Sequence, residues 1–511
     1  MATDQWKLTT DRLIRKGYFP LELPPPFNTS ALADSLGYLP DLKTLSPKSS
    51  KSIFFSIPKS WPARRVLSVP NPLHQTMLCQ TLSDHWPSLK KIFEESAVSL
   101  STPTIFEDGI RAVSRRADFD VWSVERFRRS SPFRFVLRTD LSRFYHTIYT
   151  HSLPWAIHGK DSAKQDHSPN LFGNVIDTRM RNTQDQQTIG ISVGPDTSFI
   201  MAEVIAARID QDLEEEIGNL NGTRYVDDFH LYFDTRADAE AAYEALERIT
   251  KKYELELNQS KTVISEGPDT GEPIWKTALK AQRLRGSGNG QQSSLISFIS
   301  KTFELVKAFP GEGVLAYAIK KAATRTFDDD ASPIFESFLL AALVHDASTL
   351  PVVTRLLFDR KTAGMISIEA NILETLSRLS LFHAKLRHHY EVSWLLWLFK
   401  VLSAKVPSEV LTEIAQLEDS FVALVALDLL TSGLADGADL SLWKALMTGG
   451  SLYAEHWLVA YEAAKKGWLP MLDKDYISSD PFFGALALND VSFYKELEGS
   501  GVDYVTLGVP Y

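Results

Sequence analysis

Two adjacent carboxylates, Asp227 and Asp228, stand between two runs that are rich in aromatic and β-branched residues. Such runs on either side of a short polar step predict a β-hairpin with the acids at its turn. Two carboxylates at a tight turn repel each other unless a divalent cation or a hydrogen-bonded partner compensates, so the stretch indicates a metal site. An aromatic-x-Asp-Asp tetrapeptide also occurs by chance in roughly one chain in ten of this length, so the pair alone is weak evidence.

A third acid, Asp140, ends a strand-like apolar run that begins at Phe133 and then passes into a helix-like pattern. Three acids at strand ends are the ligand set of a two-metal phosphoryl-transfer site, in which two Mg²⁺ ions bind the phosphates of a nucleotide and the attacking hydroxyl. In that chemistry the carboxylates are ligands rather than bases. We therefore predict Asp140, Asp227 and Asp228 as catalytic residues, with Mg²⁺ or Mn²⁺ as the cofactor.

The elements that must position these acids follow from the hydrophobic pattern. Residues 131–270 alternate between strand and helix patterns, which predicts an α+β sheet with helices on one face. Upstream, the pattern predicts a strand over residues 52–57, a second strand over residues 64–67 and a helix that starts at Pro72. Residues 160–187 are polar and show little apolar periodicity, so we expect a long loop there.

A linker and a helical part follow. Residues 284–294 are rich in Gly, Ser and Gln, which is typical of a linker, and we set the domain boundary between residues 285 and 286. Beyond it, apolar residues recur at spacings of three and four. We predict an all-α domain over residues 286–511, with a HEAT-like repeat as one arrangement of its helices.

The acid-bearing segments resemble a known family. The segment around Asp140 resembles motif A of reverse transcriptases, and Tyr225-Val226-Asp227-Asp228 resembles their YVDD motif C. Between these, residues 190–198 resemble motif B, and residues 255–262 resemble motif D. Four motifs in the right order are far more specific than any one of them. The resemblance implies that residues 1–285 form reverse-transcriptase-like fingers and palm.

The resemblance also assigns roles. It implies that Asp140, Asp227 and the backbone carbonyl of Val226 hold the metal ions, with Asp228 as neighbouring support. Arg65 and Gly194 take nucleotide-binding positions of the fingers and of motif B. Lys261 takes the position of the lysine that assists the leaving pyrophosphate.

Tyr145 bears on the choice of substrate. It stands five residues after Asp140, where the resemblance implies an aromatic ring that lies under the sugar and excludes a 2′-hydroxyl. This assignment favours deoxynucleoside triphosphates. The alternative is that Tyr145 belongs to the apolar stripe of a helix packed on the sheet.

A narrower resemblance lies in residues 140–160, which read DLSRFYHTIYTHSLPWAIHGK. This segment is similar to the bacterial abortive-infection (Abi) reverse transcriptases of antiphage defence, including the AbiK-like and prophage-borne types, and residues 57–71 are similar to the fingers of that family. The family implies DNA synthesis without a template, primed on the protein itself. It further implies a single-stranded DNA product attached covalently to the protein, and we expect a homo-oligomer.

Two other functions stay open. One is a templated RNA-directed DNA polymerase of a retron-like defence system. The other is a catalytically silent nucleic-acid-binding scaffold, although the three acids and Lys261 are all present and argue against a dead site.

Self-priming requires an acceptor hydroxyl. Tyr18 and Tyr38 lie on either side of the proline-rich stretch at residues 23–27, in a region of irregular pattern. An exposed tyrosine hydroxyl is a chemically suitable acceptor for a first nucleotide. We predict these two as priming candidates, although most of the 16 tyrosines are expected to pack in the interior.

The charge distribution limits the nucleic acid partner. The chain has a net charge of −10, and residues 301–511 contribute −9 of it. A protein that grips a long duplex needs a broad basic surface, so this balance suits a short or single-stranded product better. The main basic run that could grip phosphates consists of Arg126, Arg128, Arg129, Arg134, Arg138 and Arg143.

The remaining composition describes an ordinary globular protein. No apolar run approaches the ~20 residues of a membrane span, and the N-terminus is too polar for a signal peptide, so we expect a cytoplasmic protein without membrane contact. The single cysteine, Cys79, excludes an intramolecular disulfide and is expected to be buried. The histidines show no metal-ligand spacing.

Overall fold

The computed structural model describes residues 7–60, 63–285, 288 and 290–496. Their strands are β1 (Ile53–Ser60), β2 (Ala63–Val69), β3 (Pro103–Thr104), β4 (Ser114–Arg115), β5 (Phe135–Asp140), β6 (Gly222–Tyr225), β7 (Asp228–Phe233) and β8 (Val263–Glu266).

Helices account for most of the rest. Up to the predicted boundary they are α1 (Thr10–Gly17), α2 (Ser30–Asp34), α3 (Pro72–Asp84), α4 (Trp86–Glu94), α5 (Phe119–Ser130), α6 (Phe144–Thr147), α7 (Ser152–His158), α8 (Lys160–Gln165), α9 (Phe172–Asn182), α10 (Asp196–Ile217), α11 (Arg236–Lys252) and α12 (Ile274–Ala281). Beyond it they are α13 (Gln291–Ala308), α14 (Val314–Ala323), α15 (Ser332–His345), α16 (Leu350–Thr362), α17 (Glu369–Lys385), α18 (His389–Val401), α19 (Ser408–Ile414), α20 (Ser420–Thr431), α21 (Ser441–Lys444), α22 (Trp457–Lys465), α23 (Tyr476–Ser479) and α24 (Pro481–Leu488). Short 3₁₀ helices cover Leu36–Tyr38, Leu42–Thr44, Gln259–Lys261, Ala347–Thr349 and Gly449–Tyr453.

The central element is a four-stranded sheet in the order β6-β7-β5-β8. All three neighbouring pairs are antiparallel. Helix α11 packs on β5, β7 and β8, and α10 packs on α11. This arrangement is the α+β palm that the alternating pattern predicted.

The predicted fingers form an antiparallel hairpin of β1 and β2, in which Ile57 pairs with Arg65. Residues 61 and 62 of the predicted fingers segment lie outside the described residues. Helix α3 begins where we predicted, because Asn71 caps it by accepting a hydrogen bond from the backbone N–H of Leu73 and Pro72 occupies the first turn.

The long loop that we predicted over residues 160–187 is wrong, because the segment contains α8 and α9. Helix α9 buries Ile176 and Met180, which are one helical turn apart, and it packs on α3 and α7. Polar side chains on the opposite face of this short helix masked the spacing in the sequence.

The helical part packs directly on the fingers and the N-terminal region. The ring of Phe421 in α20 lies 5.1 Å, centroid to centroid, from both Phe27 and Phe55. Tyr494 pairs with Phe27 in an isolated antiparallel bridge, and their rings are also 5.1 Å apart. The two parts therefore share one hydrophobic core, although they are far apart in sequence.

Polar contacts join the same surfaces. Arg64 of β2 donates two hydrogen bonds of 2.7 Å to the carboxylate of Glu391 in α18. The indole of Trp394 donates to the carbonyl of Glu22 at 2.7 Å. The apolar stretch around Trp394 and Trp397 is core, since both side chains are fully buried.

Four further expectations bear on the architecture. Beyond residue 290 the described chain is entirely helical apart from turns and the bridge at Tyr494, and a HEAT-like repeat stays a prediction. The predicted linker at residues 284–294 includes residues 286, 287 and 289, which lie outside the described residues. Cys79 is buried, as expected. Among the described helices, none combines the length and apolarity that crossing a bilayer requires.

We predict that Phe421→Ala lowers the free energy of unfolding by about 3–5 kcal/mol, because it removes a buried ring from the shared core. Thermal denaturation should show one transition for both parts of the chain. Phe382→Ala, on a ring that is 55% exposed, should cost less than about 1 kcal/mol. Two separate transitions in the wild-type protein would show that the two parts unfold independently.

Candidate active site

Three carboxylates meet at one end of the central sheet. Asp140 is the last residue of β5, and Asp228 is the first residue of β7. The antiparallel register places Asp140 directly opposite Asp228, and Asp227 lies in the turn before it. The side chains come from segments that are almost ninety positions apart in the sequence, and strand pairing brings them together.

The acids are partly or fully withdrawn from water, and this changes the pKa values of Asp227 and Asp228. Asp140 is buried, and Asp227 and Asp228 are half-buried. Burial, together with the charges of Asp227 and Asp140, raises the pKa of Asp228 to about 6. Burial is also the main cause that raises the pKa of Asp227, with the charge of Asp140 acting in the same direction. The site therefore holds more negative charge than its surroundings compensate.

The donor set fits a divalent cation. One oxygen of Asp140, Oδ1, is buried and accepts no hydrogen bond from the residues that the structure describes. The other oxygen, Oδ2, accepts a hydrogen bond from the ammonium group of Lys261. Carboxylate oxygens with free lone pairs are the ligands that Mg²⁺ and Mn²⁺ prefer. Asp140 and Asp227, with Asp228 beside them, could hold such ions.

The turn between the strands has an unusual backbone. Tyr225 pairs with Asp228, so Val226 and Asp227 form a two-residue hairpin turn. Val226 adopts φ = 59°, a left-handed conformation that is a true outlier for a β-branched residue. Such a conformation costs on the order of 1–3 kcal/mol and persists only where surrounding contacts impose it.

Both backbone polar groups of Val226 are bound. Its N–H donates to the hydroxyl of Ser101 at 2.8 Å. Its carbonyl oxygen, which we predicted as a metal ligand, accepts a hydrogen bond of 2.8 Å from the guanidinium of Arg224. A carbonyl oxygen has two lone pairs and this hydrogen bond uses one of them, so Val226 as a metal ligand stays a prediction.

The part of the chain that bears the three acids matches a known protein family. Residues 57–294 match the family described as reverse transcriptase (RNA-dependent DNA polymerase). The matched range includes β5, the turn at Val226 and the segment of Lys261. Slightly less than half of the chain is thus similar to a reverse transcriptase domain. Such domains are nucleotidyltransferases of the DNA polymerase class, and polymerases of this family generally use divalent metal ions. The α+β fingers and palm followed by a helical domain are thus confirmed as the fold class.

Two solved structures resemble the chain weakly. The apo telomerase of Candida tropicalis is 12% identical to this chain, with a TM-score of 0.31. The match covers 70% of this chain and 66% of the telomerase chain. The telomerase of Candida albicans in complex with a TWJ fragment of telomeric RNA is 14% identical to this chain, with a TM-score of 0.32. The match covers 74% of this chain and 65% of that telomerase chain. The chain spans slightly less than two thirds of these proteins, and likenesses at such TM-scores support no statement about function. No curated protein matches the chain.

Two of the predicted nucleotide-binding residues, Arg65 and Tyr145, interact electrostatically with Asp227. Arg65 is exposed on β2, and its charge acts to lower the pKa of Asp227, against the larger effect of burial. Tyr145 is half-buried, and burial raises the pKa of its hydroxyl. Gly194 adopts φ = 130°, and a Cβ there would meet Pro20 at 2.6 Å, so only glycine fits.

Most arginines of the predicted basic run are already paired. Arg126 and Arg138 bind the buried carboxylate of Asp269, at 2.5 and 3.2 Å. Three others bind acids nearby, through the pairs Arg128–Glu125, Arg129–Glu125 and Arg134–Glu266. These pairs neutralise much of the charge that the run would offer to phosphates.

One cluster of metal-ligand type lies outside the domain. Ligand atoms of His383, His388 and Glu391 lie within 4.8 Å of one another, which the sequence spacing did not suggest. Both oxygens of Glu391, however, accept hydrogen bonds from Arg64. The facing Nδ1 atoms of the two histidines are 3.1 Å apart and share a hydrogen bond. We assign the cluster to the contact between the fingers and the helical part.

The two priming candidates differ in access. Tyr18 is fully buried, and its hydroxyl donates to the carbonyl of Pro70. Burial raises the pKa of this hydroxyl well above its usual value. Tyr38, at the end of a 3₁₀ helix, is 73% exposed. Of the two, only Tyr38 presents its side chain to solvent.

We predict that Asp228→Asn stabilises the protein at pH 8 in the presence of EDTA. The folded protein holds a proton on Asp228 up to pH 6, whereas the unfolded chain releases it near pH 3.8, so the stability of the wild type falls as pH rises through this window. Between pH 5 and pH 8 the wild type should lose about 1 kcal/mol relative to the variant. The measurement is chemical denaturation at both pH values.

The exposed Asp161 provides a matched control, because Asp161→Asn should leave the pH dependence unchanged. Added Mg²⁺ should restore stability to the wild type at pH 8, since an ion that binds only the folded state stabilises it. A variant that is less stable than the wild type at pH 8 in EDTA would show that the acids are not under electrostatic strain.

Proposed function

We propose that this protein is a DNA polymerase of the reverse transcriptase type that extends DNA from deoxynucleoside triphosphates with Mg²⁺ or Mn²⁺. The observation that carries the proposal is the pairing of Asp140 with Asp228 across β5 and β7, with Asp227 in the adjoining turn. Three carboxylates at one end of the sheet, two on strand ends and one in the adjoining turn, form the ligand set of a two-metal nucleotidyl transfer site.

In this proposal Asp140 and Asp227 hold the ions, and Asp228 supports them or acts as a transient ligand. When bound, the ions activate the attacking 3′-hydroxyl and stabilise the charge on the phosphates. In the structure Lys261 binds Asp140. Its exposed side chain can turn to protonate the leaving pyrophosphate. The pKa of Lys261 is raised, chiefly by the hydrogen bond to Asp140, so its ammonium group is protonated at neutral pH and can donate a proton.

The chain's own residues would also select and orient the nucleotide. Arg65 projects from the fingers hairpin and binds the triphosphate, since its charge already acts on Asp227. Tyr145 lies under the sugar and excludes a 2′-hydroxyl. Gly194 allows the turn before α10 to lie against Pro20, because a Cβ at this position would collide with the proline ring.

We assign synthesis without a template, primed on the protein. The net charge of −10 and the internal pairing of Arg126, Arg128 and Arg129 favour a short or single-stranded product over a long duplex. Tyr38 is the better acceptor of the two candidates, because its side chain is exposed and that of Tyr18 is not. The product is then single-stranded DNA attached to Tyr38.

The sequence resemblance to Abi reverse transcriptases supports the wider setting. In this proposal the protein acts in antiphage defence by abortive infection, in the cytoplasm, as a homo-oligomer. Residues 1–285 form the fingers and palm, and residues 286–511 form the helical domain. The contacts of Arg64 with Glu391 support a role of the helical domain in holding the fingers.

A templated RNA-directed DNA polymerase, as in retron-like systems, is the second candidate. The description of the matched family favours it, because that description is RNA-dependent DNA polymerase. A catalytically silent scaffold is the third, and the half-buried, mutually repelling acids argue against it, since a silent protein gains nothing from that arrangement.

The test incubates the purified full-length protein with Mg²⁺ and each labelled deoxynucleoside triphosphate, without template or primer. We expect label that migrates with the protein on a denaturing gel and that protease releases. Asp227→Asn should abolish the label, and Asp161→Asn should retain it. Labelling only after a primed RNA template is added would contradict untemplated synthesis and favour the second candidate.

The priming residue has its own prediction. Tyr38→Phe should abolish labelling of the protein but preserve extension of a supplied DNA primer, because it removes one exposed hydroxyl and leaves the acids intact. Tyr18→Phe removes a buried hydroxyl and should leave labelling unchanged. Mass spectrometry of the labelled peptide identifies the attachment site, and a nucleotide on another residue would contradict the assignment to Tyr38.

A further inference from the structure

A buried ion network lies behind the turn that carries Asp227. The guanidinium of Arg224 binds Glu203 at 2.7 Å and Asp210 at 2.8 Å, both on α10. The side chains of all three residues are at most 1% exposed. The same guanidinium donates to the carbonyl of Val226. One arginine thus joins the helix beneath the sheet to the backbone of the turn.

Serine hydroxyls complete the network. Ser101 donates to Glu203 at 3.0 Å, while its oxygen accepts the N–H of Val226. Ser99 donates to the other oxygen of Glu203 at 2.5 Å, and Ser96 donates to Asp210 at 2.5 Å. Arg224 therefore binds the carbonyl of Val226, and Ser101 binds its N–H.

The segment that bears these serines is fixed to β6 by its backbone. The N–H of Arg224 donates to the carbonyl of Val98 at 2.8 Å, and the N–H of Leu100 donates to the carbonyl of Arg224 at 2.9 Å. Ser99 and Arg224 form a parallel bridge. The side chains that bind Val226 therefore belong to segments that are hydrogen-bonded to each other rather than to a free loop.

The position of the network argues for a function. A buried group of one arginine and two acids is costly to remove from water, and apolar residues of similar volume can often replace such a group at no loss of stability. What apolar residues cannot do is hold both polar groups of Val226. Because Val226 has φ = 59°, its conformation needs such restraints.

We propose that Arg224 and Ser101 are positioning residues that hold Val226 in its left-handed conformation and thereby set the affinity of the neighbouring carboxylates for divalent ions. Asp227 is bonded directly to Val226, so a rotation at Val226 displaces Asp227 relative to Asp140 and Asp228. Lysine cannot replace Arg224, because a single ammonium lacks the planar fork that spans Glu203, Asp210 and the carbonyl. The inference rests on the proposed two-metal function.

The experiment compares Arg224→Lys and Ser101→Ala with the wild type as full-length proteins. Direct Mn²⁺ binding is measured by electron paramagnetic resonance, and the Mg²⁺ concentration for half-maximal DNA synthesis is measured beside it. Loss of residues that orient metal ligands typically weakens metal affinity 10- to 100-fold, and we expect a weakening of about that size in both assays. The KM for deoxynucleotide at saturating Mg²⁺ should change little.

Arg360→Lys is the matched control for a merely structural effect. Arg360 is a buried arginine of the helical part that binds Glu336 at 2.7 Å and the carbonyl of Met365 at 2.9 Å. This variant should lower thermal stability without changing Mn²⁺ affinity. An equal loss of Mn²⁺ affinity in Arg360→Lys would overturn the inference, because it would trace the effect to general destabilisation.

A double variant tests the role of the strained backbone. Glycine adopts positive φ without restraint, so Val226→Gly should lessen the effect of Ser101→Ala on Mn²⁺ affinity. An unchanged Mn²⁺ affinity in Ser101→Ala, or no influence of Val226→Gly on it, would refute the inference. If the wild type binds Mn²⁺ but makes no DNA, the proposed function fails, while the Mn²⁺ affinities of the variants still decide the positioning role.

Discussion

The carboxylates of Asp140, Asp227 and Asp228 repel one another at one end of the central sheet, and burial makes their charged forms more costly still. Hydrogen bonds between β5 and β7 nevertheless place Asp140 opposite Asp228. A slip of the register by one residue would send every side chain of the strand to the opposite face of the sheet. The sheet and the helices packed on it therefore enforce the arrangement of charges, and a divalent cation would relieve the repulsion.

The turn between β6 and β7 shows how local strain serves this arrangement. Val226 occupies a conformation in which a β-branched residue is disfavoured, and its two backbone polar groups are bound by Arg224 and Ser101. A relaxed turn would alter the direction in which Asp227 leaves the backbone. The buried ions beneath the sheet thus connect α10 with the position of one carboxylate.

The helical part belongs to the same folded unit as the fingers. Phe421 packs between Phe27 and Phe55, and Arg64 of the fingers hairpin is bound by Glu391. The hairpin also bears Arg65, the residue proposed to bind the triphosphate. Contacts with the helical part therefore hold this hairpin in place.

The local pattern of the sequence determined the types of most elements and the identity of the three acids, because strand and helix periodicity and the motifs around the acids depend on neighbouring residues. The strands that carry Asp140 and Asp228, and the helix that begins at Pro72, are visible in that pattern. Where polar side chains covered the outer face of a short helix, as in α9, the pattern was misleading.

Only the tertiary structure decided which of these groups are available for chemistry. It showed that the carbonyl of Val226 is held by Arg224, that Arg126 and Arg138 share the buried Asp269, and that Tyr18 is enclosed whereas Tyr38 is exposed. It also brought Phe27 and Phe421 into one core. These outcomes depend on contacts between residues that are distant in the chain, and the spacing of residues along a sequence contains no information on which distant side chain will pair with which.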